Sequence, residues 1–166
     1  MYQIEEIVVY PTHGIGTIEN IVEKSAGNGQ KKKSYYIINI DSSGVKIMMP
    51  VENAKKVGIR EISNPRKITK ALKIIKQESS VSSNEHWNRR HKEYMVKIKT
   101  GCILDMAEVF RDLSTLQNSK SLSFGEKKIL ENVENLLASE IAAAKKIESV
   151  DAKKMLAKAV SAPRQN

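Results

Sequence analysis

The chain is poor in the residues that build most small catalytic and metal sites. Its 166 residues include one cysteine, Cys102, and three histidines, His13, His86 and His91. A lone cysteine excludes an intramolecular disulfide and any Cys-x-x-Cys motif. His86 and His91 stand five apart, off the i, i+4 spacing of a helical zinc pair. No Walker A loop and no nucleophile elbow is present. His13-Gly14-Ile15-Gly16 lacks the third glycine of a phosphate loop, which leaves a tight hairpin turn as the expectation. Cys102, between Gly101 and an apolar run, is expected to be a buried, inert thiol. No run approaches the roughly 18 apolar residues of a membrane span. The acidic start Met1-Tyr2-Gln3-Ile4-Glu5-Glu6 lacks the basic and apolar regions of a signal peptide. These absences predict a soluble, cytoplasmic protein without enzymatic activity, cofactor, metal, small-molecule substrate or membrane contact.

What is present is positive charge, unevenly placed. Lys and Arg number 28 against 19 acids, a net of +9. Residues 1–62 are nearly balanced, with 8 basic and 7 acidic side chains. Residues 66–99 alone hold 10 basic and 3 acidic ones. Such a block attracts polyanions by neutralising phosphates and releasing counterions, or it is simply a solvated Lys-rich helix face. The 40% hydrophobic content is enough for a core without disulfides or metal.

Pattern divides the chain into a domain at residues 1–62 and a second at 63–166. The first reads as short strands at 8–12-residue spacing: Ile7-Val8-Val9-Tyr10, a stretch from Gly16 to Glu23, Ser34 to Ile40, and Val45 to Pro50. Polar turns separate them, which predicts a small antiparallel barrel. The second reads as about five helices. Asn64-Pro65 is an N-cap followed by proline at the first helical position. Ser82 with Glu85 and Ser123 with Glu126 have capping-box spacing. Ile103, Met106, Ala107, Phe110, Leu113 and Leu116 form one apolar stripe. Ile129, Val133, Leu136, Leu137, Ile141 and Ala144 form another. Asp151 is expected to open a last helix, and residues 161–166 to fray. The fold class predicted is α+β.

Three features rise above this frame. The segment from Trp87 to Met95 holds the only Trp, with Arg89, Arg90 and Lys92 close by. On a helix Trp87, Arg90, His91, Tyr94 and Met95 share a side, with Arg89 and Lys92 adjoining. The indole either presses on an unstacked base while the arginines hold phosphates, or it is the largest core residue of a small bundle. Phe124 falls before the regular stripe of its helix and either plugs a seam or is exposed. Met48 and Met49 cannot both face inward on a regular strand. Either the strand is bulged or one methionine lies on the surface.

Taken in order, the motifs resemble the CarD/CdnL family of bacterial RNA-polymerase-binding transcription regulators, over residues 2 to about 160. The carriers in the first half are Val8-Val9-Tyr10-Pro11, His13-Gly14-Ile15-Gly16, Ile47-Met48-Met49-Pro50 and Val57-Gly58-Ile59-Arg60. The second half adds Trp87-Asn88-Arg89-Arg90, Lys97-Ile98-Lys99-Thr100-Gly101, Ala107-Glu108-Val109-Phe110-Arg111-Asp112-Leu113 and Leu122-Ser123-Phe124-Gly125-Glu126-Lys127. The match is closest to the CdnL branch.

The resemblance implies a Tudor-like N-terminal domain that docks on the RNA polymerase β subunit. It also implies a helical C-terminal domain at the upstream edge of the promoter bubble, where the family's tryptophan wedges into the minor groove and stabilises the open complex. By matching position, Trp87 is the wedge, with Arg89, Arg90 and Lys92 on the DNA backbone and Met95 and Phe124 in a nonpolar patch beside it. Ile37, Met48, Pro50 and Lys24 match polymerase-facing positions. Such a protein is nucleoid-associated through the polymerase. The chain departs from the family in having Glu5-Glu6 for the usual Gly-Asp, Met48 where some members are basic, a longer and more basic loop at residues 27–33, and His91 where an aromatic often follows the paired arginines. The alternative reading is a polymerase-independent, sequence-nonspecific architectural DNA-binding protein.

Overall fold

The chain divides into two units, Met1–Ile62 and Ser63–Asn166. The computed structural model describes residues 1–25, 31–82 and 86–163. The first unit is built of β1 (Ile7–Tyr10), β2 (Gly14–Ser25), β3 (Lys32–Ile40), β4 (Lys46–Pro50) and β5 (Arg60–Glu61). They pair antiparallel in the order β4-β3-β2-β1-β5. A short helix, α1 (Ala54–Val57), lies between β4 and β5.

The expected tight turn joins β1 to β2. Thr12 and Gly14 both take positive φ, and the His13 N–H donates to the Tyr10 carbonyl at 3.1 Å. Gly16 lies within β2, where an added Cβ would meet Ile38 Cγ2 at 2.9 Å, so the glycine serves strand packing. Along β3, Tyr36, Ile38 and Ile40 point inward and join Val8, Ile18, Met49, Ala54 and Ile59 in the core.

The α+β class and the antiparallel sheet match expectation, but the closure does not: the sheet is open. β4 and β5 are its two edges. β5 has only two residues, paired with Val8 and Val9, and Pro50 ends β4 with no N–H to donate.

Among the described residues the second unit holds five helices: α2 (Pro65–Lys76), α3 (Trp87–Thr100), α4 (Ile103–Ser119), α5 (Phe124–Lys145) and α6 (Ser149–Ser161). Their ends follow local chemistry. Asn64 Oδ1 accepts from the Lys67 N–H at 2.9 Å, with Pro65 in the first turn of α2. Ser123 and Glu126 form the reciprocal capping box of α5. At α3 the expected Ser82–Glu85 box falls partly on residues 83–85, outside the described residues, and His86 precedes the helix without a side-chain cap. α6 begins two residues before Asp151, behind Glu148, and residues 164–166 of the expected frayed end lie outside the described residues. The α4 stripe from Ile103 to Leu116 is buried, facing Ile129, Val133, Leu137 and Ile141 of α5. A fully buried Leu or Ile contributes about 1.5–3 kcal/mol. The same core takes in Tyr94 and Ile98 of α3, so α3 packs on this helix pair.

Candidate functional site

Trp87 is the first residue of α3, and its indole is half-buried. The ring lies over the first turn of α5: a Cβ added at Gly125 would sit 3.3 Å from Trp87 Cζ2. His91, one turn along α3, meets the indole edge-on with centroids 5.1 Å apart. Trp87 and Met95 both pack against the helical core without being enclosed by it. Phe124, next to Gly125, is 84% exposed. A phenyl ring this open adds almost nothing to the core, so its packing gives it no structural task. Of the two readings for Phe124, the exposed one is found. For Trp87 the structure gives an intermediate: an apolar seat with one part of the ring in solvent.

The paired arginines separate completely. Arg89 is exposed, its Nε 3.3 Å from Glu93 Oε1 in an i, i+4 pair open to water. Such pairs contribute about 0.3–0.5 kcal/mol, so the guanidinium is easily drawn to a stronger anion. Lys92 is exposed and has no ion-pair partner among the described residues.

Arg90 corrects the expectation of a phosphate contact, since it is only 2% exposed. Consecutive helical residues point about 100° apart, and Arg90 joins Tyr94 and Ile98 on the buried stripe of α3. Its Nη2 donates to Glu126 Oε1 at 2.7 Å, and its Nη1 to the Ser82 carbonyl at 3.3 Å.

Glu126 thus does two tasks. Its Oε2 accepts from the Ser123 N–H at 2.8 Å, completing the α5 cap, while Oε1 takes Arg90 and, at 3.4 Å, Lys120. Burial alone would raise its pKa. The Ser123 backbone bond, the Lys120 charge, the Ser123 hydroxyl and the Arg90 charge outweigh that, and the pKa is lowered. The bridge ties the turn carrying Trp87 to the turn carrying Phe124. Glu126 was legible only as a cap, and Gly125 and Lys120 carried no sequence signal for this site.

In the first unit, β4 settles the methionine question without a bulge. Met49 pairs with Tyr36 and is buried, whereas Met48 pairs with Ile37 and is 47% exposed. Register places Asn20, Ile37 and Met48 side by side on the outer face, followed by Val22, Tyr35 and Pro50 and then by Lys24 and Lys33. Ile37, Met48, Pro50 and Lys24 therefore share one face, with Lys24 at its far end. Ile37 and Pro50 are half-buried, Lys24 is exposed, and β4 is an edge strand.

His13, His86 and His91 are exposed, and Cys102 is half-buried where full burial was expected. Among the described residues no three His, Cys, Asp or Glu side chains gather as a metal site, and no helix is long and apolar enough to cross a membrane.

The molecule is an α+β chain of two modules, each displaying candidate residues at its surface, with Arg90 the buried exception. Residues 2–63 match the CarD-like/TRCF RID domain, and residues 70–157 match the CarD, C-terminal domain. A Bacillus subtilis (strain 168) protein named "Putative transcription factor YdeB" is 36% identical over 141 residues, covering 85% of this chain and 90% of that protein. The chain belongs to the CarD-like family, a family of transcription regulators.

Proposed function

We propose that the chain docks on the RNA polymerase β subunit through the outer face of β3 and β4, and that it stabilises the promoter open complex with Trp87 at the upstream edge of the bubble. The match of residues 2–63 to the RID domain shared with TRCF supports polymerase as the partner. The observation that carries the DNA half is the pairing of a seated, half-exposed indole with Phe124, 84% exposed, and with two exposed cations, Lys92 and the weakly paired Arg89.

The energetics favour a bubble edge over intact duplex. Unstacking a base step costs a few kcal/mol, and stacking on an aromatic ring returns about 1–3 kcal/mol per base. Inserted into closed duplex, one tryptophan roughly breaks even. At a bubble edge the polymerase has already unstacked the step, and the stacking is a net gain. Arg89 and Lys92 then hold backbone phosphates, and Met95 and Phe124 flank the ring. Tethering through β3 and β4 raises the local concentration of this weak contact without adding to it.

Two variants test the division of labour. Met48→Glu, on the outer face, abolishes capture of the full-length protein by polymerase β, and Trp87→Ala leaves capture intact. Undiminished capture of Met48→Glu would move the polymerase contact off this face, and failure of the wild-type protein to be captured would favour DNA binding without polymerase.

A further inference from the structure

The outer face of α2 is unlike that of the other long helices. Its 12 residues include Arg66, Lys67, Lys70, Lys73 and Lys76, and it alone among α2–α6 has no Asp or Glu. Ile68, Ala71 and Ile75 bury the opposite stripe. At 100° per residue, Arg66, Lys70 and Lys73 fall on the side facing away from the core, with Lys76 flanking them. All four are exposed, and none has an ion-pair partner among the described residues. Lys158 of α6 lines the same shallow groove as Lys76 and extends the charge onto a second helix.

Solvated helix faces usually intersperse the two signs, and like charges three or four residues apart repel by about 0.2–0.5 kcal/mol each. An unrelieved row of cations is stabilised by a polyanion laid along it. From Arg66 to Lys76 the row is about 15 Å long at about 1.5 Å per residue, and a duplex strand presents a phosphate every 3.4 Å or so of its axis. A membrane surface fits poorly, because no large apolar side chain stands on this outer face to enter the lipid.

We infer that the outer face of α2, with Lys158, is a second DNA-contacting surface that follows the phosphate backbone of intact duplex. Lysine ammonium groups act here as point charges, so the contact carries no sequence preference. It is independent of the Trp87 contact, which needs an unstacked step.

The test is the salt dependence of binding of the full chain to a linear, fully paired duplex without polymerase. Each phosphate contact contributes about 0.9 to the slope of log K against log salt. Lys70→Gln/Lys73→Gln should lower that slope by about 2, because Gln keeps the helix propensity of Lys while removing the charge. Lys145→Gln/Lys146→Gln, which removes two exposed cations elsewhere in the unit, should lower it by less than about 1. Trp87→Ala should leave the slope unchanged, which separates this surface from the bubble contact. Equal effects of the two double variants, or no duplex retention of wild type at low salt, would overturn the inference. So would a Lys70/Lys73 variant that keeps its slope but loses capture by polymerase, which would assign the face to an acidic protein.

Discussion

Arg90 and Arg89 are chemically identical neighbours with opposite fates, and the difference is one step of helical rotation. Arg89 meets water and Glu93, while Arg90 goes under the surface and needs a carboxylate, which Glu126 supplies from 36 positions along the chain. Removing one partner of a buried pair costs about 3–5 kcal/mol, because the survivor is left charged and unpaired. Glu126→Gln should therefore destabilise the protein by about 3 kcal/mol near neutral pH. The sign with pH follows from the lowered pKa of Glu126 in the folded state. A group with a depressed folded pKa stabilises fully above its unfolded value, about 4.3 for Glu, and loses that contribution as pH falls through the folded value. The gap in urea midpoint between wild type and Glu126→Gln should be full at pH 7 and close in acid. A gap of constant size down to pH 3 would show that the carboxylate charge is not what holds Arg90.

At the scale of elements, two short backbone features decide what the candidate surfaces present. Gly125 leaves room for the indole on the first turn of α5, where a Cβ already comes within 3.3 Å of the ring. Gly125→Val should push the indole outward and red-shift the emission of the only tryptophan. The urea midpoint should move by no more than about 1 kcal/mol equivalent, since the core stripes of α4 and α5 are untouched. Unshifted emission would show that the ring does not rest there. In β4, register with β3 sends Met49 inward and Met48 outward. Met48→Glu should leave stability within about 0.5 kcal/mol, whereas Met49→Ala should cost about 2–5 kcal/mol by opening a cavity.

Much of this architecture is written locally and can be read without coordinates. Asn64-Pro65 and Ser123 with Glu126 mark helix starts because capping bonds span three residues. The six apolar positions from Ile103 to Leu116 all turned inward because helical spacing gathers them on one side, while the burial of Val109 and Asp112 beyond that side was not legible. What was illegible is non-local. Met48 and Met49 are equivalent in hydropathy until Ile37 and Tyr36 fix the register. The spacing of Arg90, Tyr94 and Ile98 hints at a buried stripe, but nothing near Arg90 announces Glu126. Sheet closure depends on strand length and edge pairing, and a two-residue β5 cannot be foreseen from turn spacing.

For the molecule as a whole, the chain falls into two units, and the proposed function gives attachment to one and action to the other. The β-sheet unit offers an apolar outer face at an edge strand, and the helical unit carries the cations, the seated indole and the exposed phenyl ring. On the proposed function neither contact needs to be strong alone, because a protein held on a polymerase would meet the same bubble edge repeatedly. The central claim is that Trp87 holds that edge open. It is tested by the lifetime of promoter open complexes after competitor challenge, with wild-type protein, with Trp87→Ala and with none added. Loss of about 1–3 kcal/mol of stacking predicts that Trp87→Ala shortens the lifetime conferred by wild type at least about fivefold, toward the value without protein. A lifetime equal to that of wild type, from a Trp87→Ala protein still captured by polymerase β, would contradict it.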